Sequence, residues 1–194
     1  MNNPEFIIFT GPMFSSKTTK LLACLERYKY QKRTIHAFKP MIDDRYSDHE
    51  IATHSGWKQE AQNIRTGGDL LIWAKRMMER GEECDIIAVD EAFMIPEIGP
   101  ALISLYMSGL TIVVSSLEIS SSCNPFKEIA ALFPFATKIE KCSAICTICS
   151  ADAHYTHRKT NHKAEIAVGG EEMYEPRCWK HHEIGKRGGR WNNE

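Results

Sequence analysis

The stretch EFIIFTGPMFSSKTT, residues 5–19, decides how the rest of the chain is read. Glu5 to Thr10 is a short apolar run that enters a Gly-Pro turn, as a buried parallel strand does. From Gly11 to Thr18 the order G-P-M-F-S-S-K-T follows the phosphate-binding pattern G-x-x-x-x-G-K-[ST] at every fixed position but one, Ser16 standing for the second glycine. The pattern wraps backbone N–H groups around phosphate oxygens at a helix N-terminus. Lys17 is expected to neutralise β/γ charge and the Thr18 hydroxyl to coordinate Mg²⁺. Serine keeps its N–H, so the cradle survives where position 16 has φ below zero.

Working outward, the spacing predicts a helix over 18–31 with Leu21, Leu22, Leu25 and Tyr28 on one face, then a strand over 34–38 ended by Pro40. A polar stretch over 43–68 shows little periodicity beyond a short strand at 51–54. A second amphipathic helix covers 69–80, with Leu70, Trp73, Ala74 and Met77 on one side. Apolar strands follow at 86–89 and 111–115, a helix at 98–107 between them, a helix near 127–133 and a strand near 137–142. Such alternation reads as βα units around a parallel sheet, with ligands at the carboxyl ends of the strands. From Cys142 the texture changes to cysteine and histidine pairs and short strand-like pieces. The expected organisation is an α/β nucleotide-binding domain over 1–141, a small second domain over 142–185, and a disordered tail over 186–194.

Composition excludes several classes. Apolar residues are 43% of the chain and charged residues 25%, ordinary for a globular protein. The net charge of -1 gives no general pull toward nucleic acid or anionic membrane. The N-terminus lacks a signal-peptide pattern, and no run approaches the ~20 apolar residues of a membrane span. A soluble, cytoplasmic protein is expected. The seven cysteines are odd in number, which argues against a disulfide framework.

Two further patterns carry chemistry. IIAVDE, residues 86–91, is an apolar strand with carboxylates at its tip. Asp90 fits an acid that holds Mg²⁺ through water, and Glu91 could take the proton from an attacking hydroxyl. Cys146-Thr-Ile-Cys149 and Cys178-Trp-Lys-His181 are two knuckles that together make one tetrahedral site of three thiolates and one imidazole. Fully coordinated zinc has no open position, so its role is structural. His182 is a competing ligand by adjacency and Cys142 a weaker one.

These segments, with DDRYS (43–47), ATHSG (52–56), VDEA (89–92), NPF (124–126), YTHR (155–158) and VGGEEMY (168–174), resemble the zinc-containing thymidine kinases of cells, bacteriophages and large DNA viruses, over roughly residues 5–182. The resemblance implies a RecA-like P-loop domain with a small zinc domain carrying a lasso loop, about 155–174. It implies ATP, Mg²⁺ and structural Zn²⁺, with thymidine as phosphoryl acceptor and a homotetrameric assembly. The donor triphosphate falls to Gly11, Pro12, Met13, Phe14, Ser15, Ser16, Lys17, Thr18 and Thr19. Glu91 becomes the general base, Arg158 stabilises the transferred charge, and Asp43 and Arg45 lie near the phosphates and metal. Thymine is met by the backbone of Val168, Gly169 and Gly170, by Tyr174, by Thr156 at the 5-methyl, and by Met13, Leu117 and Phe126.

The chain departs from that family at Ser16, at Phe93-Met94-Ile95, and across Leu117 to Phe126, where Ser121 replaces a pocket phenylalanine. A roomier, more polar pocket is expected, with tolerance for bulkier or polar 5-substituted deoxyuridines. Two other classes compete: a zinc-ribbon nucleic-acid binder, opposed by the lack of basic surplus, and a non-catalytic nucleotide sensor, opposed by Lys17 and Glu91.

Overall fold

The computed structural model describes residues 3–43, 49–53, 56–160 and 166–187. Strand β1 (Phe6–Thr10) is buried along its whole length and feeds helix α1 (Lys17–Tyr30) through the loop 11–16. Strand β2 (Ile35–Pro40) follows, then the short antiparallel pair β3 (Glu50–Ala52) and β4 (Lys58–Glu60), and strand β5 (Gln62–Ile64). Helix α2 (Gly67–Glu79) begins two residues earlier than its apolar spacing predicts, because Thr66 caps it. The Thr66 hydroxyl accepts from the Asp69 amide at 3.2 Å, and the Asp69 carboxylate accepts from the Thr66 amide at 3.3 Å.

Strand β6 (Ile86–Val89), helix α3 (Ile98–Met107) and strand β7 (Thr111–Ser116) fall within a residue of expectation. Helix α4 (Lys127–Ala130) is shorter than expected; the chain passes into a 3₁₀ turn over Phe133–Phe135. Pro134 accounts for this: it has no N–H to donate to the Ala130 carbonyl, and its ring crowds that carbonyl. Strand β8 (Lys138–Lys141) ends the large sheet.

That sheet is parallel throughout, in the order β5-β2-β6-β7-β1-β8. Alternate side chains serve opposite faces, as a pleated strand dictates. Ile7, Phe9, Ala37, Ala88 and Val113 meet Leu21, Leu22, Leu25 and Tyr28 of α1. Phe6, Ile8, Phe38, Val89 and Val114 meet Leu70 of α2 and Ile98, Leu102 and Leu105 of α3. Burying each such side chain stabilises by about 1.5–3 kcal/mol.

Beyond β8 the elements are small. β9 (Ala144–Ile145) pairs antiparallel with β10 (Asp152–Ala153), and β11 (Tyr155–Arg158) with β12 (Tyr174–Arg177). Among the described residues their apolar cluster is Ala144, Cys146 and Ala153, with Cys178 against it. A core of that size needs another staple. Helix α5 (Glu183–Arg187) takes in the first two residues of the expected tail; 188–194 lie outside the described residues. No described helix is long and apolar enough to cross a membrane.

Candidate active site

Gly11 opens the loop after β1 at φ 140, and a Cβ there would lie 2.3 Å from the Cys142 carbonyl oxygen, so no larger residue fits. Phe14 and Ser16 also have positive φ, 64 and 59. The condition set for serine at position 16, a φ below zero, is therefore not met. It stands at φ 59, ψ 25, in the left-handed region, where a residue with a Cβ costs about 1–2 kcal/mol. The turn geometry that asks for glycine is kept, and serine is strained into it.

Not every amide of the loop is open to an anion. Gly11 donates to the Glu118 carboxylate at 2.8 Å, Pro12 has no N–H, and Met13 donates to the Thr156 hydroxyl at 3.0 Å. The amides that can cradle phosphate therefore begin at Phe14 and run through Ser15, Ser16, Lys17, Thr18 and Thr19 into the first turn of α1. The buried Lys17 ammonium donates to the Pro12 carbonyl at 2.6 Å. Desolvation lowers its pKa, against the opposing pull of Glu91, Asp90 and Glu118.

Asp90 lies at the tip of β6, and β7 separates that strand from β1. The gap is closed by hydroxyls: Thr18 donates to Asp90 at 3.2 Å to each oxygen, and Ser115 of β7 donates to the same carboxylate. Burial, with the nearby Glu91 charge adding to it, pushes the Asp90 carboxyl up to about 7, although Ser115, Thr18 and Lys17 favour its ionised form.

Glu91 follows at φ 49, ψ 40, and starts the 3₁₀ turn Ala92–Met94. That turn sets its side chain between two cavities. One is polar: Thr18, Lys39, Asp43, Glu50, Asp90 and Glu91 border it. The other is mostly apolar: Glu91 and Arg158 share its wall with Met13, Leu117, Phe126, Thr156, Gly169 and Tyr174. A bond-forming step between an anionic group in the first and an alcohol in the second would take place at Glu91.

At the far side of the β11–β12 ribbon, ligand atoms of Cys146, Cys149, Cys178 and His181 lie within 4.8 Å of one another. The Cys149 and Cys178 sulfurs are 3.7 Å apart, and His181 Nδ1 is 3.3 Å from Cys178 and 3.8 Å from Cys146. Tetrahedral zinc with ~2.3 Å sulfur bonds has edges of about 3.7 Å, so these four could hold such a metal. Desolvation opposes the Cys146 thiolate, but backbone amides of Cys178, Ile148 and Cys149 and the His181 ring outweigh it and hold the thiol at about 6. The competing ligands are elsewhere. His182 is buried, Nε2–H donating to the Thr156 carbonyl at 3.3 Å, and Cys142 lies under the Gly11 turn.

The sequence model of the thymidine kinase family matches residues 5–182. The chain belongs to the thymidine kinase family. A thymidine kinase of Pyrobaculum aerophilum is 34% identical over 185 residues, covering 92% of this chain and 98% of that protein. A thymidine kinase of Thermococcus kodakarensis is 34% identical over 182 residues, covering 90% and 92%.

Of the residues expected from sequence, Thr18, Asp43, Asp90 and Glu91 border the polar cavity, and Met13, Glu91, Leu117, Phe126, Thr156, Arg158, Gly169 and Tyr174 border the apolar one. Arg45 lies outside the described residues. Val168 packs against the large core, and Gly170 closes a turn, its amide on Glu172 at 2.7 Å and its carbonyl accepting from Tyr174 at 3.0 Å. Of the expected thymine-binding backbone, Gly169 alone borders the cavity. Tyr174, which also borders it, donates to the Ala167 carbonyl at 2.9 Å, with Arg158 above its ring at 5.4 Å.

Sequence reading missed Ser120, Ile166 and Ala167 as wall residues, and did not assign Phe93 and Met94 to the wall either. It also missed Lys39, buried in the polar cavity. Only Lys39 carried a signal: a lysine at the end of an apolar parallel strand, where ligands gather.

Proposed function

We propose that this chain transfers the γ-phosphoryl group of ATP to the 5′-hydroxyl of thymidine, or of a related 5-substituted deoxyuridine, giving dTMP for pyrimidine deoxynucleotide salvage. Beyond family membership, the observation that carries this reading is Glu91, the residue bordering both the polar cavity beside the phosphate-binding loop and the apolar cavity under β11 and β12.

The nucleoside is assigned to the apolar cavity with its 5′-hydroxyl toward Glu91, which accepts the proton as the alcohol attacks phosphorus. The amides of Phe14 to Thr19 take the β- and γ-phosphate oxygens. Lys17 exchanges the Pro12 carbonyl for a phosphate, and Arg158 offsets charge on the transferred group. Thr18, Asp90 and Asp43 are the residues that would hold Mg²⁺, which supplies charge neutralisation of the polyphosphate. Arg45 belongs near the same phosphates. Met13, Leu117, Phe126, Thr156, Val168, Gly169, Gly170 and Tyr174 are assigned to the nucleoside side. Within that set Thr156 faces the 5-methyl group, and Val168 and Gly170 act through the chain they brace.

Cys146, Cys149, Cys178 and His181 are assigned structural Zn²⁺, which closes a domain over 142–185 whose own apolar core is too small to stand alone. The ATP-binding domain is 1–141. A cytoplasmic homotetramer is the assembly the family resemblance suggests. The reading is tested by measuring ADP release with ATP and Mg²⁺ across natural and 5-substituted nucleosides. Rates above the ATPase background with thymidine and 5-substituted deoxyuridines support it; no nucleoside-stimulated release refutes it.

A further inference from the structure

Glu118 occupies a place that the phosphoryl-transfer scheme does not use. It follows Leu117 at the end of β7, and its side chain is 11% exposed. One carboxylate oxygen accepts both the Gly11 amide, at 2.8 Å, and the Thr10 hydroxyl. The other faces the Lys141 ammonium at 3.2 Å, on the last residue of β8. The main chain of Glu118 does a different job: its carbonyl accepts the Phe126 amide at 3.0 Å, closing the loop that brings Ser120, Ser121 and Phe126 to the apolar cavity.

Gly11 is thus held from two directions. The Cys142 carbonyl leaves no room for a Cβ on one side, and the Glu118 carboxylate engages its amide. The turn that follows has two residues with a Cβ in the left-handed region, Phe14 and Ser16. Such backbone persists only when its surroundings over-determine it. A charge-assisted bond to the first amide of the turn is about twice as strong as a neutral one, and here it is shielded from water.

We infer that the Glu118 side chain is a positioning residue for the phosphate-binding loop: it fixes where the turn starts, and so where the amides from Phe14 onward point, while its main chain serves the nucleoside pocket. The inference rests on the proposed kinase reading only in taking ATP as the ligand. Side-chain and main-chain roles separate in experiment, because substitution removes the carboxylate and leaves the Phe126 amide bond in place.

The test uses a fluorescent ribose-labelled ATP with Mg²⁺, titrated directly, alongside calorimetric titration of thymidine and steady-state KM for both substrates. Glu118→Ala should weaken labelled-ATP binding and raise the KM for ATP at least tenfold, with thymidine affinity within about twofold. Glu118→Gln keeps an acceptor oxygen for Gly11 and should recover most of the loss. Lys141→Met removes only the outer ion pair and should change ATP affinity less than threefold. If Glu118→Ala fails to fold, Glu118→Leu, which fills the same space without an acceptor oxygen, reads the split between the substrates, with ATP weakened at least tenfold and thymidine within about twofold. ATP affinity unchanged in Glu118→Ala or Glu118→Leu, or ATP and thymidine weakened equally in any Glu118 variant, would overturn the inference. A wild type that binds ATP yet does not phosphorylate thymidine refutes the proposed function alone, since the ATP titration needs no turnover.

Discussion

The Thr18 hydroxyl donates to the Asp90 carboxylate at 3.2 Å, joining the first turn of α1 to the tip of β6 across the intervening strand β7. Two distant pieces of sequence thereby share one buried acid. Its neighbours Ser115 and Lys17 come from β7 and from the same helix. The consequences of holding that acid out of water are measurable.

A carboxyl raised from its ordinary 3.8 to about 7 binds more protons folded than unfolded between those values. Its ionisation therefore erodes stability as pH rises through roughly 4 to 7, and the loss is complete above that window. Asp90→Asn should flatten this dependence and raise the nucleotide-free melting temperature at pH 8. The Mg²⁺-dependent part of ATP affinity, which needs the ionised acid, should fall as pH drops below 7. Thermal melts and ATP titrations across pH 5–8 check both; a melting temperature lower in Asp90→Asn at pH 8 contradicts the account.

Ser16 stands in the left-handed region at φ 59. Glycine there relieves about 1–2 kcal/mol of backbone strain and adds about 0.4–1 kcal/mol of unfolded-chain entropy. Ser16→Gly should leave stability equal or raised by up to about 1.6 kcal/mol, with ATP affinity retained. Ser16→Val, β-branched at the same φ, should lose both. Denaturant melts and ATP titrations of the pair give the comparison.

Removing the metal that Cys146, Cys149, Cys178 and His181 are assigned should loosen β11 and β12, which hold Thr156 and Tyr174, while leaving α1 and its loop intact. Cys178→Ser, or exhaustive chelation, should abolish bound zinc and weaken thymidine at least tenfold, with ATP affinity changed by less than about threefold. Elemental analysis and paired titrations measure this. Full thymidine affinity without zinc would count against a structural metal.

Ser121 borders the apolar cavity beside Ser120 and Phe126. Filling it should narrow the space available to a 5-substituent. A pocket methylene discriminates by about 10–200-fold, so Ser121→Phe should shift the kcat/KM ratio at least tenfold toward thymidine over bulkier or polar 5-substituted deoxyuridines. An unchanged ratio removes Ser121 as a specificity determinant.

Much of this arrangement was legible in sequence wherever burial repeats with a regular period. Helix α3 lies at 98–107 as its apolar spacing demands, and the carboxylates after β6 sit where a buried strand must end. Strand β5 was not legible: Gln62-Asn63-Ile64 has one apolar side chain, and its strand character comes from pairing at the sheet edge with Phe38 to Pro40. The wall residues Ser120 and Ala167 escaped for a similar reason, since tight chain reversals rather than residue type carry them to the cavity. Ser16 shows the remaining limit. Its motif position was plain, but its positive φ follows from the path of the turn, which composition does not state.

The most direct test of the central claim is the product made from thymidine, ATP and Mg²⁺ by the wild type and by Glu91→Gln. Phosphorus NMR with chromatography reads both the position of the phosphate and the amount of ADP. The account predicts 5′-phosphorylated thymidine in equal yield with ADP from the wild type. From Glu91→Gln it predicts a rate lower by about 10²–10⁴-fold with both substrates still bound. ADP without phosphorylated thymidine, or an undiminished rate in Glu91→Gln, would contradict it.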